Sequence, residues 1–238
     1  MFFDVPAGWT RALDLYCERT SPDFFAEPLN AFSNIGFLVA AWLCGKRMQR
    51  TLHQYSASDQ WALRLLVGLI AAIGAGSFVF HTVASVWSAW LDIVPIQIFI
   101  LAYVMCFVRF IAGASWRWAW LGIPAFIALA WVATPLARSA VPANSAAYVP
   151  ALVGLAMFAL WAIARGHGGA RLLSLATLVF GLSLTLRTVD EPWCGAIASG
   201  THFLWHLLNA VTLALAFTAL GRSRDSPTLR VSSPRSND

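Results

Sequence analysis

The sequence predicts an all-α, polytopic membrane protein, a bundle of seven transmembrane helices with its N-terminus outside and its C-terminus in the cytoplasm. Hydrophobic residues make up 59% of the chain and charged residues only 11%, which is more apolar than a soluble domain tolerates. Seven stretches approach the roughly 20 apolar residues that cross a bilayer as a helix. Because their apolar residues run nearly without interruption, they fit helices better than the alternating strands of a barrel.

The seven predicted spans cover most of the chain and leave room for a single domain, residues 1–221. They lie at about 31–45, 61–81, 89–109, 117–135, 147–164, 171–187 and 201–221. An acidic outer segment, 1–30, comes before the first span. The apolar run of that span is short for a membrane crossing, so its helix could begin earlier, inside the acidic segment. The polar tail, 222–238, is rich in Ser, Pro and Arg, and we expect it to be disordered in the cytoplasm.

The orientation follows from the basic residues in the connecting segments. An outside N-terminus places eleven of them on the inner side: Lys46, Arg47, Arg50, Arg109, Arg117, Arg165, Arg171, Arg222, Arg224, Arg230 and Arg235. It places four on the outer side: Arg11, Arg19, Arg138 and Arg187. This asymmetry favours the N-outside orientation. The net charge of +5 therefore reflects topology and an anionic inner leaflet, and nothing indicates a nucleic-acid partner or an obligate protein partner.

The four cysteines divide between the two sides of this topology. Cys44 and Cys106 lie near inner helix ends, whereas Cys17 and Cys194 fall in outer segments. An oxidising exterior allows Cys17 and Cys194 to form a disulfide between the N-terminal segment and the connection before the seventh span. The alternative is that both stay unpaired at the interface.

Three of the five histidines are expected at one depth near the outer surface. His81 ends the second span, and His202 and His206 begin the seventh, four residues apart on one helix face. His53 and His167 are expected to face solvent in inner loops. Three neutral imidazoles at one depth suit a tetrahedral Zn²⁺ with an open fourth position. The alternative is that each histidine is satisfied by hydrogen bonds in the core.

Two further polar side chains are expected to face the three histidines. Ser77 lies one turn before His81 on the same face, and Asp92 falls in the first turn of the third span. Asp92 is a candidate to accept a proton from water, and Ser77 to donate to a developing oxyanion. Histidines on one helix face cannot clamp a haem from both sides. The single lysine, Lys46, lies near an inner helix end, which argues against a retinal protein.

Three blocks of sequence extend these observations to a family. They are LYCERTSPDFFAEPLNAFSN from Leu15 to Asn34, GAGSFVFHTVASVWSAWLDIVP from Gly74 to Pro95, and a D-x-x-x-C pattern followed by GTHFLWHLLNA from Asp190 to Ala210. With these blocks in this order, the chain resembles the alkaline ceramidases. They belong to a superfamily of seven-span hydrolases that includes adiponectin-type receptors and GPI-lipid remodelling proteins.

The resemblance implies an enzyme that hydrolyses the amide of ceramide to a sphingoid base and a fatty acid. It implies zinc bound by three histidines, an aspartate that activates water, a serine that stabilises the oxyanion, and one disulfide. The matching residues are His81, His202 and His206 for zinc, Asp92 and Ser77 for catalysis, and Cys17 with Cys194 for the disulfide. The alternative is a zinc-containing receptor or signalling protein of the same superfamily, with weak or different lipid hydrolysis.

This sequence matches the family's calcium-binding pattern only in part. Animal members bind Ca²⁺ with an N-terminal Asp-Trp-Cys-Glu-x-Asn pattern and a later Glu. Glu18 and Glu27 match, but the Asp position is Leu15, with Asp14 one residue early, and the Asn position is Thr20. Asp14, Glu18 and Glu27 therefore remain a candidate oxygen-rich Ca²⁺ site, with a solvated acidic segment as the alternative. The pattern AEPLNAFSN is typical of bacterial members and favours a bacterial inner membrane over a eukaryotic endomembrane.

Overall fold

A computed structural model describes residues 8–221, so the predicted disordered tail lies outside the described part of the chain. The described residues form helices and turns, with one isolated β-bridge between Ala12 and Ser85. The helices are α1 (Pro28–Ser33), α2 (Ile35–Thr51), α3 (Ala57–Val83), α4 (Val86–Cys106), α5 (Trp116–Ala119), α6 (Gly122–Ala137), α7 (Ala143–Ala146), α8 (Val149–Ala164), α9 (Ala170–Val189) and α10 (His202–Leu220).

Seven helical segments are long and apolar enough to cross a membrane, which confirms the predicted number for residues 8–221. They are Pro28–Gln54, Ala57–Val83, Val86–Ile111, Trp116–Ala137, Asn144–Ala164, Ala170–Val189 and His202–Leu220. The first begins inside the acidic segment, and the second and third begin before their apolar runs. Polar caps explain the early starts of the second and third: Ser56 accepts the N–H of Asp59, and Ser85 pairs with Ser88. The orientation of the termini stays a prediction.

The long helices pack in a ring that follows chain order. Contacts join α2 to α3, α3 to α4, α4 to α6, α6 to α8, α8 to α9, α9 to α10, and α10 back to α2. Large side chains fill the interior, among them Ile73, Phe99, Phe180 and Trp205. The outward faces are also apolar: Trp131 on α6 is 85% exposed, and α6 buries no residue completely. Such a surface fits contact with lipid chains rather than water.

A close approach of α3 and α4 brings two candidate residues together. A Cβ at Gly76 on α3 would overlap the carbonyl of Leu91 on α4, so a larger residue would force the helices apart. Ser77 and Asp92 are the next residues along the two helices. We therefore attribute their proximity to the missing side chain at position 76.

The N-terminal segment, residues 8–27, folds over one end of the bundle. The N–H groups of Val86 and Trp87 donate to the carbonyls of Arg11 and Trp9, both at 3.1 Å. These donors in the first turn of α4 have no partner within their own helix. We call this end the site end; there α1, α4 and α10 begin and α3 and α9 finish.

An ion pair holds the opposite end. The Asp59 carboxylate on α3 accepts Nε and Nη2 of Arg109 at 2.8 and 2.9 Å, and the indole N–H of Trp116 at 2.9 Å. Arg109 lies in the π-helical turn Phe107–Ile111 that ends α4, and Trp116 begins α5. The cluster therefore ties the start of α3 to the end of the third span.

The two remaining histidines differ in exposure. His53 is exposed, as expected. The expectation for His167 is wrong: it is buried, and its Nδ1 accepts the N–H of Gly169 at 3.0 Å. The reason is that the connection between α8 and α9 turns inward against α10.

Candidate metal centre

The three predicted histidines come together at the site end. One nitrogen of each of His81, His202 and His206 lies within 4.8 Å of the others, and all three side chains are buried. Their ring centroids are 4.6 to 5.2 Å apart. His81 comes from the last turns of α3, whereas His202 and His206 occupy successive turns of α10. This arrangement can hold a metal ion.

Hydrogen bonds fix the ring orientation of two of these histidines. Nδ1 of His81 lies 2.6 Å from Oε2 of Glu27 and donates to it, so the neutral ring has its lone pair on Nε2. The Ser33 hydroxyl donates to the carbonyl of Asn30 at 2.9 Å and lies 2.8 Å from Nδ1 of His206. Because its single proton is directed at Asn30, Ser33 accepts from Nδ1 of His206, and the neutral ring then has its lone pair on Nε2.

Unpartnered buried atoms fit a metal at this position. Nε2 of His81, Nδ1 of His202 and the hydroxyl of Ser77 are buried without a hydrogen-bond partner in the protein. A buried polar atom left alone is costly, so each such atom calls for an explanation. A metal bound to Nε2 of His81 and a ligand or water beside Ser77 would supply two of the missing partners.

His202 is positioned by an aromatic ring and by a carboxylate. The ring of Tyr16 stacks on its imidazole, with centroids 3.7 Å apart and planes at 19°. Asp190 accepts the N–H groups of Thr201 and His202 at 2.6 and 2.9 Å, and that of Cys17 at 3.2 Å. Asp190 therefore caps the start of α10 and holds the N-terminal segment beside it.

The predicted disulfide is present between Cys17 and Cys194, whose Cα atoms are 5.1 Å apart. The bond ties the N-terminal segment, including Tyr16, to the connection before α10. Cys44 and Cys106 are free and buried, consistent with their placement at the other helix ends. The disulfide and Asp190 thus connect the same two parts of the chain.

Ser77 and Asp92 line a cavity that opens from the histidines into the bundle. Asp92 lies in the second turn of α4, because that helix begins earlier than predicted. It is close enough to His81 for their charges to interact, and the hydroxyl of Ser77 has no hydrogen-bond partner in the protein. His206 lines the same cavity. The structure therefore brings both candidate catalytic residues to the histidine cluster.

The cavity is mostly apolar. It encloses about 850 Å³ of empty space, including the space at its opening. Its polar residues concentrate beside the histidines, and farther in it is lined by Phe99, Phe126, Phe158 and Phe180 among others. This lining suits an apolar group attached to a polar one beside the histidines.

The three candidate calcium ligands do not gather into a group like the histidines within the described residues. Asp14 is exposed, and the carboxylate of Glu18 accepts the N–H groups of Leu29 and Asn30 at the start of α1. Glu27 is buried. Burial would raise the pKa of Glu27, but hydrogen bonds with His81 and Arg19 hold it below its usual range. The calcium site stays a prediction.

The residues that support the histidines are not predicted in these roles. They are Tyr16, Glu27, Ser33 and Asp190. Each lies far along the chain from the histidine that it contacts, except Asp190, so no helical spacing connects them. The one available signal is a buried carboxylate or hydroxyl next to a span, which a bilayer accepts only with a partner.

Protein families and curated proteins give no independent assignment for this chain. No protein-family model matches the sequence, and no curated protein matches it significantly. The resemblance to the ceramidases therefore stays a prediction.

Proposed function

We propose that the protein is a zinc-dependent hydrolase that cleaves the amide of ceramide, an N-acyl sphingoid base, within the membrane. The observation that carries the proposal is the buried histidine cluster at one end of a mostly apolar cavity lined also by Ser77 and Asp92. The sequence resemblance supports ceramide as the substrate. The chemistry of the site supports hydrolysis of a lipid with a polar linkage and a long apolar chain.

Three imidazoles are a characteristic donor set for catalytic zinc, which keeps a fourth position open. His81, His202 and His206 would hold the ion. Glu27 and Ser33 orient two of the rings as the partners of metal-bound histidines usually do. When bound, zinc supplies a Lewis acid that polarises a carbonyl and makes water more acidic.

Asp92 and Ser77 divide the remaining chemistry. Asp92 would accept a proton from the attacking water and return it to the leaving nitrogen. The unpartnered hydroxyl of Ser77 would donate to the oxygen that gains negative charge as the carbonyl carbon becomes tetrahedral. Asp92 thus acts on the attacking water as a base, and Ser77 acts on the carbonyl oxygen as a hydrogen-bond donor.

The cavity supports an acyl chain as the part of the substrate that enters the bundle. Its apolar lining begins directly below the polar residues, so an amide at the histidines would place the attached chain among aromatic and aliphatic side chains. Asn209 and Thr212 also line it and offer hydrogen bonds to a polar group near the linkage.

The test combines metal analysis with turnover. Protein purified in detergent is incubated with ceramide and other N-acyl lipids, and free fatty acid is measured by mass spectrometry. We expect zinc and amide hydrolysis in the wild type, and loss of both in His206→Ala. His53→Ala is the matched control, because this histidine is exposed and distant from the cluster. Zinc binding without release of fatty acid from any lipid would contradict the hydrolase and favour a receptor.

A further inference from the structure

A buried arginine donates hydrogen bonds to several oxygen atoms beside the histidine cluster. Nε of Arg19 donates to Oε1 of Glu27 at 2.5 Å, and Nη1 donates to the carbonyls of Ser21 and Asp23 at 3.2 and 3.3 Å. Nη2 donates to the carbonyl of His81 at 3.3 Å. Arg19 is only 7% exposed. One fixed positive charge is therefore surrounded by a carboxylate and three backbone carbonyls.

This oxygen set is of the kind that a hard divalent cation recruits. Calcium is bound by carboxylates and backbone carbonyls from flexible loops, and the loop 20–26 supplies two carbonyls here. The carbonyl of His81 belongs to the last turn of α3, where it lacks a partner within the helix. Without a positive charge at this place, Glu27 would remain a buried carboxylate with only neutral partners.

The other two predicted calcium ligands do not complete such a site. The carboxylate of Glu18 is occupied at the start of α1, where Pro28 has no N–H and the next two N–H groups both donate to Glu18. Asp14 is exposed on the surface. The guanidinium of Arg19 already contacts the one candidate carboxylate that faces His81, so the residues present do not fit a calcium ion at Glu27.

We propose that Arg19 replaces a divalent cation, so that this chain holds its histidine cluster without calcium. The arginine fixes Glu27, and Glu27 fixes the ring of His81 through Nδ1. Arg19 is therefore a positioning residue, which acts on the metal through two intervening side chains. The consequence is a metal centre whose assembly does not respond to the calcium concentration.

The first experiment measures metals in the wild-type protein. The purified full chain is equilibrated with Ca²⁺, dialysed, and analysed for zinc and calcium by mass spectrometry of the elements. We expect zinc without stoichiometric calcium, and the same zinc content in buffer depleted of calcium. One calcium retained per chain, or zinc lost on calcium depletion, would overturn the proposal. Both readouts are independent of lipid hydrolysis, so they are separate from a failure of the proposed activity.

The second experiment removes the internal cation. Arg19→Ala is expected to weaken zinc binding by up to about 10- to 100-fold, the usual effect of losing a partner of a metal-bound histidine, because Glu27 is then no longer held beside His81. Added Ca²⁺ should restore zinc binding in Arg19→Ala and leave the wild type unchanged. Arg11→Ala is the control, because Arg11 is an exposed arginine of the same segment. Wild-type zinc affinity in Arg19→Ala, or no response of this variant to Ca²⁺, would refute the replacement. If the variant does not fold, the wild-type measurement decides alone.

Discussion

A carboxylate oxygen of Glu27 lies 2.6 Å from Nδ1 of His81, although the two residues are 54 positions apart in the sequence. The contact forms because the N-terminal segment folds over the end of α3 and the disulfide holds it there. Glu27 therefore connects the N-terminal segment to a residue of the histidine cluster. The orientation of that ring depends on a part of the chain outside the long helices.

Glu27→Gln is expected to lower metal affinity by about 10- to 100-fold while leaving the helices intact. The amide is uncharged, and its NH₂ group would meet a donor on either side, at Arg19 or at His81. Affinity is measured by competition with a chelator of known strength. Glu191→Gln, at an exposed position, serves as the control. Equal affinities in the two variants would contradict the role of Glu27.

The histidine cluster was predictable because helical geometry carries most of the information. A separation of four residues puts His202 and His206 on one face, and the same separation puts Ser77 one turn from His81. Span counting then places the relevant helix ends on one side of the membrane. Asp92 follows from the short connection between two neighbouring spans. These inferences need only local spacing and topology.

The supporting contacts were not predictable in the same way. Tyr16, Glu27 and Asp190 reach the histidines through irregular backbone, whose path is set by tertiary hydrogen bonds rather than by a sequence period. The helix starts were also displaced, since caps such as Ser56 lie outside the apolar run that a hydropathy window detects. Apolar patterning thus locates the membrane-crossing part of a helix more accurately than the residue at which the helix begins.

Asp190→Asn is expected to destabilise the protein by about 1 to 3 kcal/mol, the cost of leaving a buried donor unpaired. An amide oxygen can still accept from Thr201 and His202, but the NH₂ group would face the N–H of Cys17. Thermal unfolding in detergent measures the loss, with Asp14→Asn as the exposed control. An unchanged midpoint would mean that the cap on α10 contributes little.

Asp59→Asn should separate stability from metal binding. The substitution removes the charge that pairs with Arg109 at the end opposite the histidines, and we expect a loss of about 1 to 3 kcal/mol. Zinc content should stay at the wild-type level in the folded fraction, because none of the residues that support the cluster is involved. Elemental analysis after size-exclusion chromatography checks this, and a loss of zinc from folded protein would contradict it.

Gly200→Ala should destabilise the site end through backbone strain and overlap together. Residue 200 has a φ of +62°, which costs an L-residue about 1 to 2 kcal/mol. A Cβ there would also overlap the carboxylate of Asp190 and the side chain of Cys17, displacing the cap of α10. Gly195→Ala is the matched control on the same connection, since its Cβ would meet no atom within 4 Å. We expect that control to be neutral or stabilising by up to about 1 kcal/mol, because alanine restricts the unfolded chain. Thermal unfolding of the two variants should therefore shift in opposite directions or by clearly different amounts, and equal shifts would contradict the constraint at Gly200.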